Sequence, residues 1–476
     1  MSPASQTMLS RFAVVTSIFA LVMVGVVAAT QPDGGGSSAA AAAPVAVATS
    51  EFEISPSTIT VPKGGSIAVT NNGTVAHNVA VTDTALKTRD FNGGESVTLD
   101  LSELEPGTYE LFCAVSGHKE AGMVATLIIT DGSAASAESA AQTDGSQHVS
   151  HADVGTLDPS DAQAQRINKE MEDAMSAGVK TFLEYAGKYA AGELPVGNTP
   201  LEPEIEADGT KVFNLTAAIT DWEVSPGNVV KAWTYNGQVP GPWIRVEPGD
   251  RVRVNLTNNL PISTEIHWHG IDVPFDQDGV APITQDYVRP LETYTYEYTV
   301  QDNPGMGMFH AHFHGQVGIV NGLFGIFQVG DVPLPLGRTV GNVAIPADLD
   351  VTTIQEVPMV LNDAGVIGLS LNGKSFPATQ PIAAKEGEWV LVHFFNEGLQ
   401  GHPMHLHRQP QIVVAKDGYP LDSPYRMDTL WVSPGERYSV LVKAEDPGTW
   451  AFHCHIVSHA ESDAGLFGMV TVMIVE

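Results

Sequence analysis

Four histidine pairs and two cysteines hold the chemistry that this chain can do. The run His453-Cys454-His455 is closed by His459. On an extended strand, successive side chains point to opposite faces. His453 and His455 therefore point one way and Cys454 the other, so one strand can serve two metal sites. A path of so few residues spans about 10 Å, short enough to pass single electrons. His402 and His459 complete a set of two imidazoles and a thiolate around Cys454. The remaining pairs are His267-Trp268-His269, His310-Ala311-His312 and His405-Leu406-His407. One such pair is usually structural. Four between His267 and His455 exceed what structural histidines account for.

The other cysteine has its own donor set. Cys113, His118 and Met123 are spaced C-x4-H-x4-M, with His77-Asn78 upstream. Two imidazoles, a thiolate and a thioether are the ligands of a type 1 copper. Zinc would gain little from the methionine. This stretch resembles the cupredoxin electron carriers.

The motifs HWHG, HxH, HPxHLH and HCHxxxH resemble the multicopper oxidase family over residues 205–476. The resemblance implies type 1 copper at His402, Cys454 and His459, and type 2 copper at His267 and His405. It implies a type 3 pair at His269, His310, His312, His407, His453 and His455. The loop after His459 is longer than the family pattern, through Ala460, Glu461, Ser462 and Asp463. Leu466 is the candidate axial neighbour of the Cys454 copper, with Met469 the alternative. Asp278 resembles the family's acidic proton carrier, with Glu461 and Asp463 as further candidates. Asp278-Gly279 also reads as a simple turn.

The implied reaction is reduction of O2 to water, with single electrons from a small molecule, a metal ion or a redox protein. Two core sandwiches rather than three imply a homotrimer with the cluster between subunits. The Cys113 centre would relay electrons or dock a carrier. Copper nitrite reductase and a non-catalytic electron carrier are the competing readings. The middle domain lacks cysteine, which argues against the first. The eight cluster histidines argue against the second. Of the remaining histidines, His314 is a neighbour of the cluster by parity and His393 a satisfied core residue. His148 and His151 receive no role.

The elements that must position these groups are strands. The chain has 476 residues, 46 Gly and 31 Pro, which suits many turns and predicts an all-β protein. We expect three cupredoxin-like Greek-key β-sandwich domains with a helical linker between the first two. Residues 1–29 read as a signal peptide or anchor, since Arg11 precedes an apolar run ending at Val27-Ala28-Ala29. Export follows from that reading. Residues 30–50 read as a flexible tether, 51–131 as the first sandwich and 132–204 as a linker. Asp158, Pro159 and Asp161 mark a helix start, and Ile167, Met171, Met175, Val179 and Phe182 mark its apolar face. The core sandwiches fall at 205–330 and 350–476, and Pro248-Gly249-Asp250 and Pro434-Gly435-Glu436 hint at repetition between them. A net charge of −32 disfavours nucleic acid and anionic membrane surfaces as partners.

Overall fold

The computed structural model describes residues 44–476 apart from 51–52, 57, 73–75, 83, 116–118, 120–122, 132–159, 161, 302–303 and 463–464. The export segment, His118, His148, His151, Asp158, Pro159, Asp161 and Asp463 lie outside the described residues. The rest is mostly strand, in three β-sandwiches, as expected.

In the first sandwich, Glu53–Ser55, Val45–Ser50, Ser66–Asn71 and Ser96–Asp100 form one sheet. Thr58–Pro62, Val124–Thr130, Gly107–Phe112 and Ala80–Val81 form the other. In the second, the sheet Asn228–Tyr235, Lys211–Ser225, Arg251–Asn258 and Thr293–Thr299 accompanies Ile244–Val246, Phe324–Val329, Gly305–His310 and His267–His269. The third sandwich repeats this plan with longer sheets. The strands Gln355–Ala364, Trp389–Asn396 and Arg437–Lys443 take the places of Lys211–Ser225, Arg251–Asn258 and Thr293–Thr299.

Two expectations are corrected. The tether stops short of Val45, because Val45–Ser50 is a strand paired in parallel with Ser66–Asn71. Its alternation of valine with small residues buries Val47 inside the first core. The helix, α1 (Ala162–Ala190), buries Ile167, Phe182 and Tyr185 but leaves Val179 45% exposed. The buried stripe runs through Gly178 instead, because the rise from Met175 to Phe182 takes its step at 178 rather than 179.

One turn recurs in all three sandwiches. A strand ends in a buried asparagine, Asn71, Asn258 or Asn396. Its carbonyl accepts from the N–H of Gly94 (2.8 Å), Leu291 (2.7 Å) or Gly435 (2.9 Å). The next residue is a glutamate, whose carboxylate accepts from the backbone N–H of Asn92 (3.0 Å), Arg289 (2.9 Å) or Ser433 (2.9 Å). The side-chain amides of Asn258 and Asn396 bridge backbone carbonyls on either side. The partner of Pro434-Gly435-Glu436 is thus Pro290-Leu291-Glu292, not Pro248-Gly249-Asp250. The sequence hides this because leucine stands at φ 69° where the other two copies have glycine at φ 80°.

Left-handed backbone costs a non-glycine residue about 1–2 kcal/mol. Leu291 is 84% exposed and has little packing to lose. Leu291→Gly should therefore raise stability by about 1 kcal/mol after the glycine's greater freedom in the unfolded chain is subtracted. Thermal or denaturant unfolding measures this, and a lowered midpoint would contradict it.

Candidate metal centres

Strand pairing assembles the histidines two by two. His267–His269 runs antiparallel to Gly305–His310 with His267 opposite His310. His402–Leu406 runs antiparallel to Gly448–Cys454 with His405 opposite His453 and Met404 opposite Cys454. Alternation sends Trp268 into the core at 1% exposure and sends Cys454 to full burial, while the flanking imidazoles face the other way.

Two quartets result. In the first, the His267 ring lies 5.9, 5.4 and 5.5 Å from those of His269, His310 and His312. His269 Nδ1 is 3.3 Å from His310 Nε2. In the second, the His405 ring lies 4.9, 5.6 and 5.6 Å from those of His407, His453 and His455. His407 Nε2 is 3.2 Å from His453 Nε2. The supporting bonds match as well. His267 Nδ1 meets the Asp278 carbonyl at 2.9 Å and His405 Nδ1 meets that of Asp428 at 3.1 Å. His310 and His453 Nδ1 meet the carbonyls of Ala311 (3.0 Å) and Cys454 (2.9 Å). Backbone acceptors thus fix these four tautomers and free Nε2 for a metal.

Among the described residues, no ring of one quartet contacts a ring of the other. His312, His407 and His455 are exposed. Each quartet is open to solvent in the single chain.

Behind the second quartet lies a closed site. Cys454 Sγ is 3.7 Å from Nδ1 of both His402 and His459, and the three donors lie within 4.8 Å of one another, all buried. Met469 is fully buried in the same cluster as Cys454. The Cys454 N–H donates to the Met469 carbonyl at 3.0 Å, just as the Cys113 N–H donates to that of Met123 at 3.0 Å. Leu466 instead packs with Phe182 and Phe376. In the middle sandwich, Ala311 N–H donates to the Leu323 carbonyl at 3.2 Å, so Ala311 and Leu323 stand where Cys454 and Met469 stand. In the first sandwich, Cys113 Sγ is 3.9 Å from His77 Nδ1, both buried.

Burial sets the protonation of these donors. It lowers His269 to about 4, His310 to about 3 and His459 to about 4. It also lowers His312, His407 and His453. It pushes the Cys454 thiol up to about 11 and raises that of Cys113. Neutral imidazoles are ready ligands, and two soft thiols beside buried methionines fit copper.

Several supporting residues are silent in the sequence. The Asp363 side chain is buried, with Oδ2 3.5 Å from His402 Nε2, and its carboxylate also accepts the N–H groups of Leu399 (2.7 Å) and Gln400 (2.8 Å). Buried Glu265 accepts the N–H of His312 at 2.8 Å and that of Phe313. Asp428 could have been found only through its pairing with Asp278. The Asp278 carboxylate lies 3.5 Å from His267 Nδ1. Its turn character also holds, since a Cβ on Gly279 would fall 1.7 Å from the Ile266 carbonyl oxygen. Glu461 sits on a hairpin with Leu466 and makes no hydrogen bond or ion pair to a quartet histidine. His314 takes φ 54° and rests on Phe313. His393 is a buried core residue between Ser439 (2.9 Å) and Glu356 (3.6 Å), as expected.

Tandem cupredoxin sandwiches with histidine quartets and a buried Cys-His-His-Met set define a copper protein. The chain belongs to the multicopper oxidase family. Multicopper oxidase family models match residues 217–333 and 344–475, and a cupredoxin-like domain model matches residues 16–129. The solved structure of multicopper oxidase mgLAC is 34% identical at a TM-score of 0.50, over 56% of this chain and 86% of that one. The blue copper oxidase from Nitrosomonas europaea is 28% identical at a TM-score of 0.49, over 56% and 86%. Laccase-2 of Botryotinia fuckeliana is 30% identical over 50% of this chain and 45% of its own length. The putative laccase-9 of Oryza sativa subsp. japonica is 28% identical over 44% and 39%. The chain thus spans less than half the length of these curated relatives. Copper is the cofactor of the family.

Copper uptake at Cys454 must release the thiol proton, because burial holds that thiol protonated through neutral pH. The imidazole of His459 is already neutral there. In Cys113→Ser protein, apparent copper affinity read from the Cys454 absorption band should rise about tenfold per pH unit between about pH 6 and 8, the slope of a one-proton exchange. A flat profile would contradict this.

Proposed function

We propose that this protein is an exported multicopper oxidase that takes single electrons from a reducing substrate and reduces O2 to water. The observation that carries this reading is the parity of His453-Cys454-His455, which joins a buried thiolate site to a face of imidazoles. Bound copper would supply one-electron storage at four positions, matching the four electrons that O2 needs. His402, Cys454 and His459 would hold the type 1 ion, with Met469 rather than Leu466 as the nearby side chain. His267 and His405 would hold the type 2 ion, and His269, His310, His312, His407, His453 and His455 the type 3 pair. Asp278, beside His267, is placed to pass protons toward the cluster. Asp363 acts through His402, fixing its ring and setting a buried carboxylate beside the site.

Neither quartet is complete alone, so the cluster forms where the first quartet of one subunit meets the second of the next, in a homotrimer. A head-to-tail interface of this kind closes into a ring. His77, Cys113, His118 and Met123 would hold a further type 1 copper, and the first sandwich would relay electrons to the core. Nitrite reduction is the outcome that would replace this reading, and oxygen uptake measured against nitric oxide release decides between them.

Three expected outcomes test it. Cys454→Ser should abolish oxygen consumption while the Cys113 blue band persists, and full retained activity would refute the electron path. Asp363→Asn removes a buried negative charge that favours the oxidised ion, so the reduction potential of the Cys454 centre should rise in a redox titration. Two inactive variants, His267→Ala/His312→Ala and His405→Ala/His455→Ala, should regain activity when co-expressed, because some mixed interfaces join two intact halves. No recovery would place the cluster within one chain.

A further inference from the structure

The Cys454 site is sealed in a way that the quartets are not. His402 and Met469 are fully buried and His459 is 7% exposed, whereas His312, His407 and His455 are open. On either side of residues 463–464, His459 and Ala460 pair with Phe467 and Met469. Met469 N–H donates to the His459 carbonyl at 2.9 Å and Phe467 N–H to that of Ala460 at 3.1 Å. Helix α1 presses on the outside of this segment. Phe182 stacks on Phe376 at 5.4 Å and 16°, in a cluster with Ala460, Leu466, Val470 and Val472. A Cβ on Gly178 would stand 3.3 Å from the Phe376 ring, and one on Gly465 would stand 3.4 Å from the backbone of Ala174 and Met175. The last turns are tied to both core sandwiches. Tyr189 Oη donates to the Ala378 carbonyl at 2.6 Å, and Tyr185 Oη donates to Glu223 at 3.3 Å. The helix lies outside every family match, between residues 129 and 217.

We infer that α1 is a specificity element that keeps planar aromatic reductants from the ring of His459, so that the donors served are those that need no direct contact with a ligand ring. This rests on the oxidase reading above. A phenol approaching from this side meets α1 and the packed layer of Phe376, Leu466 and Ala460, the residue next to His459. A donor that transfers electrons through a few ångströms of protein does not need that space. The tethered first sandwich is one such donor, and its link to α1 keeps it at high effective concentration. The close seat at Gly178 and Gly465 leaves no room for a ring to slide between helix and loop.

The test uses the full-length, copper-loaded chain with Cys113→Ser, so that electrons enter only at the core. The probes are 2,6-dimethoxyphenol and ferrocyanide. Phe182→Ala loosens the seat, and Tyr189→Phe removes only its terminal hydrogen bond should the first variant fold poorly. Leu183→Ala, on the exposed side of the helix, is the control. KM for the phenol should fall at least about tenfold in Phe182→Ala, the low end of what a steric pocket change gives, and in the same direction but less in Tyr189→Phe. KM for ferrocyanide should stay unchanged in all. In the metal-free Cys113→Ser protein Cys454 is the only thiol, and its alkylation by N-ethylmaleimide should speed up in the two seat variants but not in Leu183→Ala. Equal phenol KM values, or equal alkylation rates, with α1 intact and loosened overturn the inference. If no donor drives oxygen uptake in any variant, the oxidase reading fails, and the alkylation rates still decide the seal.

Discussion

The structure depends on the two-residue period of a strand. Between Phe452 and His455 the backbone does nothing unusual, yet each residue changes sides. Phe452 and Cys454 enter the core, and His453 and His455 leave it. A slip of one residue would bury two imidazoles and strand a thiol on the surface. Everything that fixes this register serves the metal sites. Cys454 is held opposite Met404 by one neighbour and by the Met469 carbonyl on another. His405 is held opposite His453 by the same ladder. The donor sets are therefore built mainly by sheet hydrogen bonds, and the side chains need only be of the right type.

The repeated asparagine-to-glutamate turn shows how the frame and the chemistry are divided. Between Asn71 and Glu95 lies His77. Between Asn258 and Glu292 lie His267 and His269. Between Asn396 and Glu436 lie His402, His405 and His407. The bonds at the two ends scarcely vary among the sandwiches, while the segment between them changes in length and in ligands. The sheets thus act as fixed clamps on an exchangeable segment, and each sandwich was free to take a different donor set.

Much of this was legible in the sequence because its signals are local. A pair of histidines two apart on a strand needs no knowledge of the fold to be placed on one face. The spacing of Cys113 to Met123 is likewise a property of one loop. What the sequence withheld was carried by contacts across long separations. Asp363 reaches His402 from another strand, and nothing near Asp363 marks it as special. Asp428 is visible only once the two quartets are superposed. The burial of Met469 beside Cys454, with a backbone bond that recurs at Cys113, is likewise a contact across a long loop. The seat of α1 rests on Gly178 and Gly465, and a glycine's reason for being small lies in what stands beside it. The same holds for Leu291, which broke the repeat to the eye while the backbone kept it.

The middle sandwich has a further meaning. Ala311 sits between His310 and His312 as Cys454 sits between His453 and His455, with the Leu323 carbonyl in place of that of Met469. The backbone arrangement that holds a thiol in the third sandwich holds a methyl group and a leucine here. It keeps the imidazole pair in position with no thiol between the two rings. A cluster fed from both sides would have two upstream reservoirs at unequal potentials. In the homotrimer proposed above, Ala311 would leave each cluster with one entry for electrons, through Cys454.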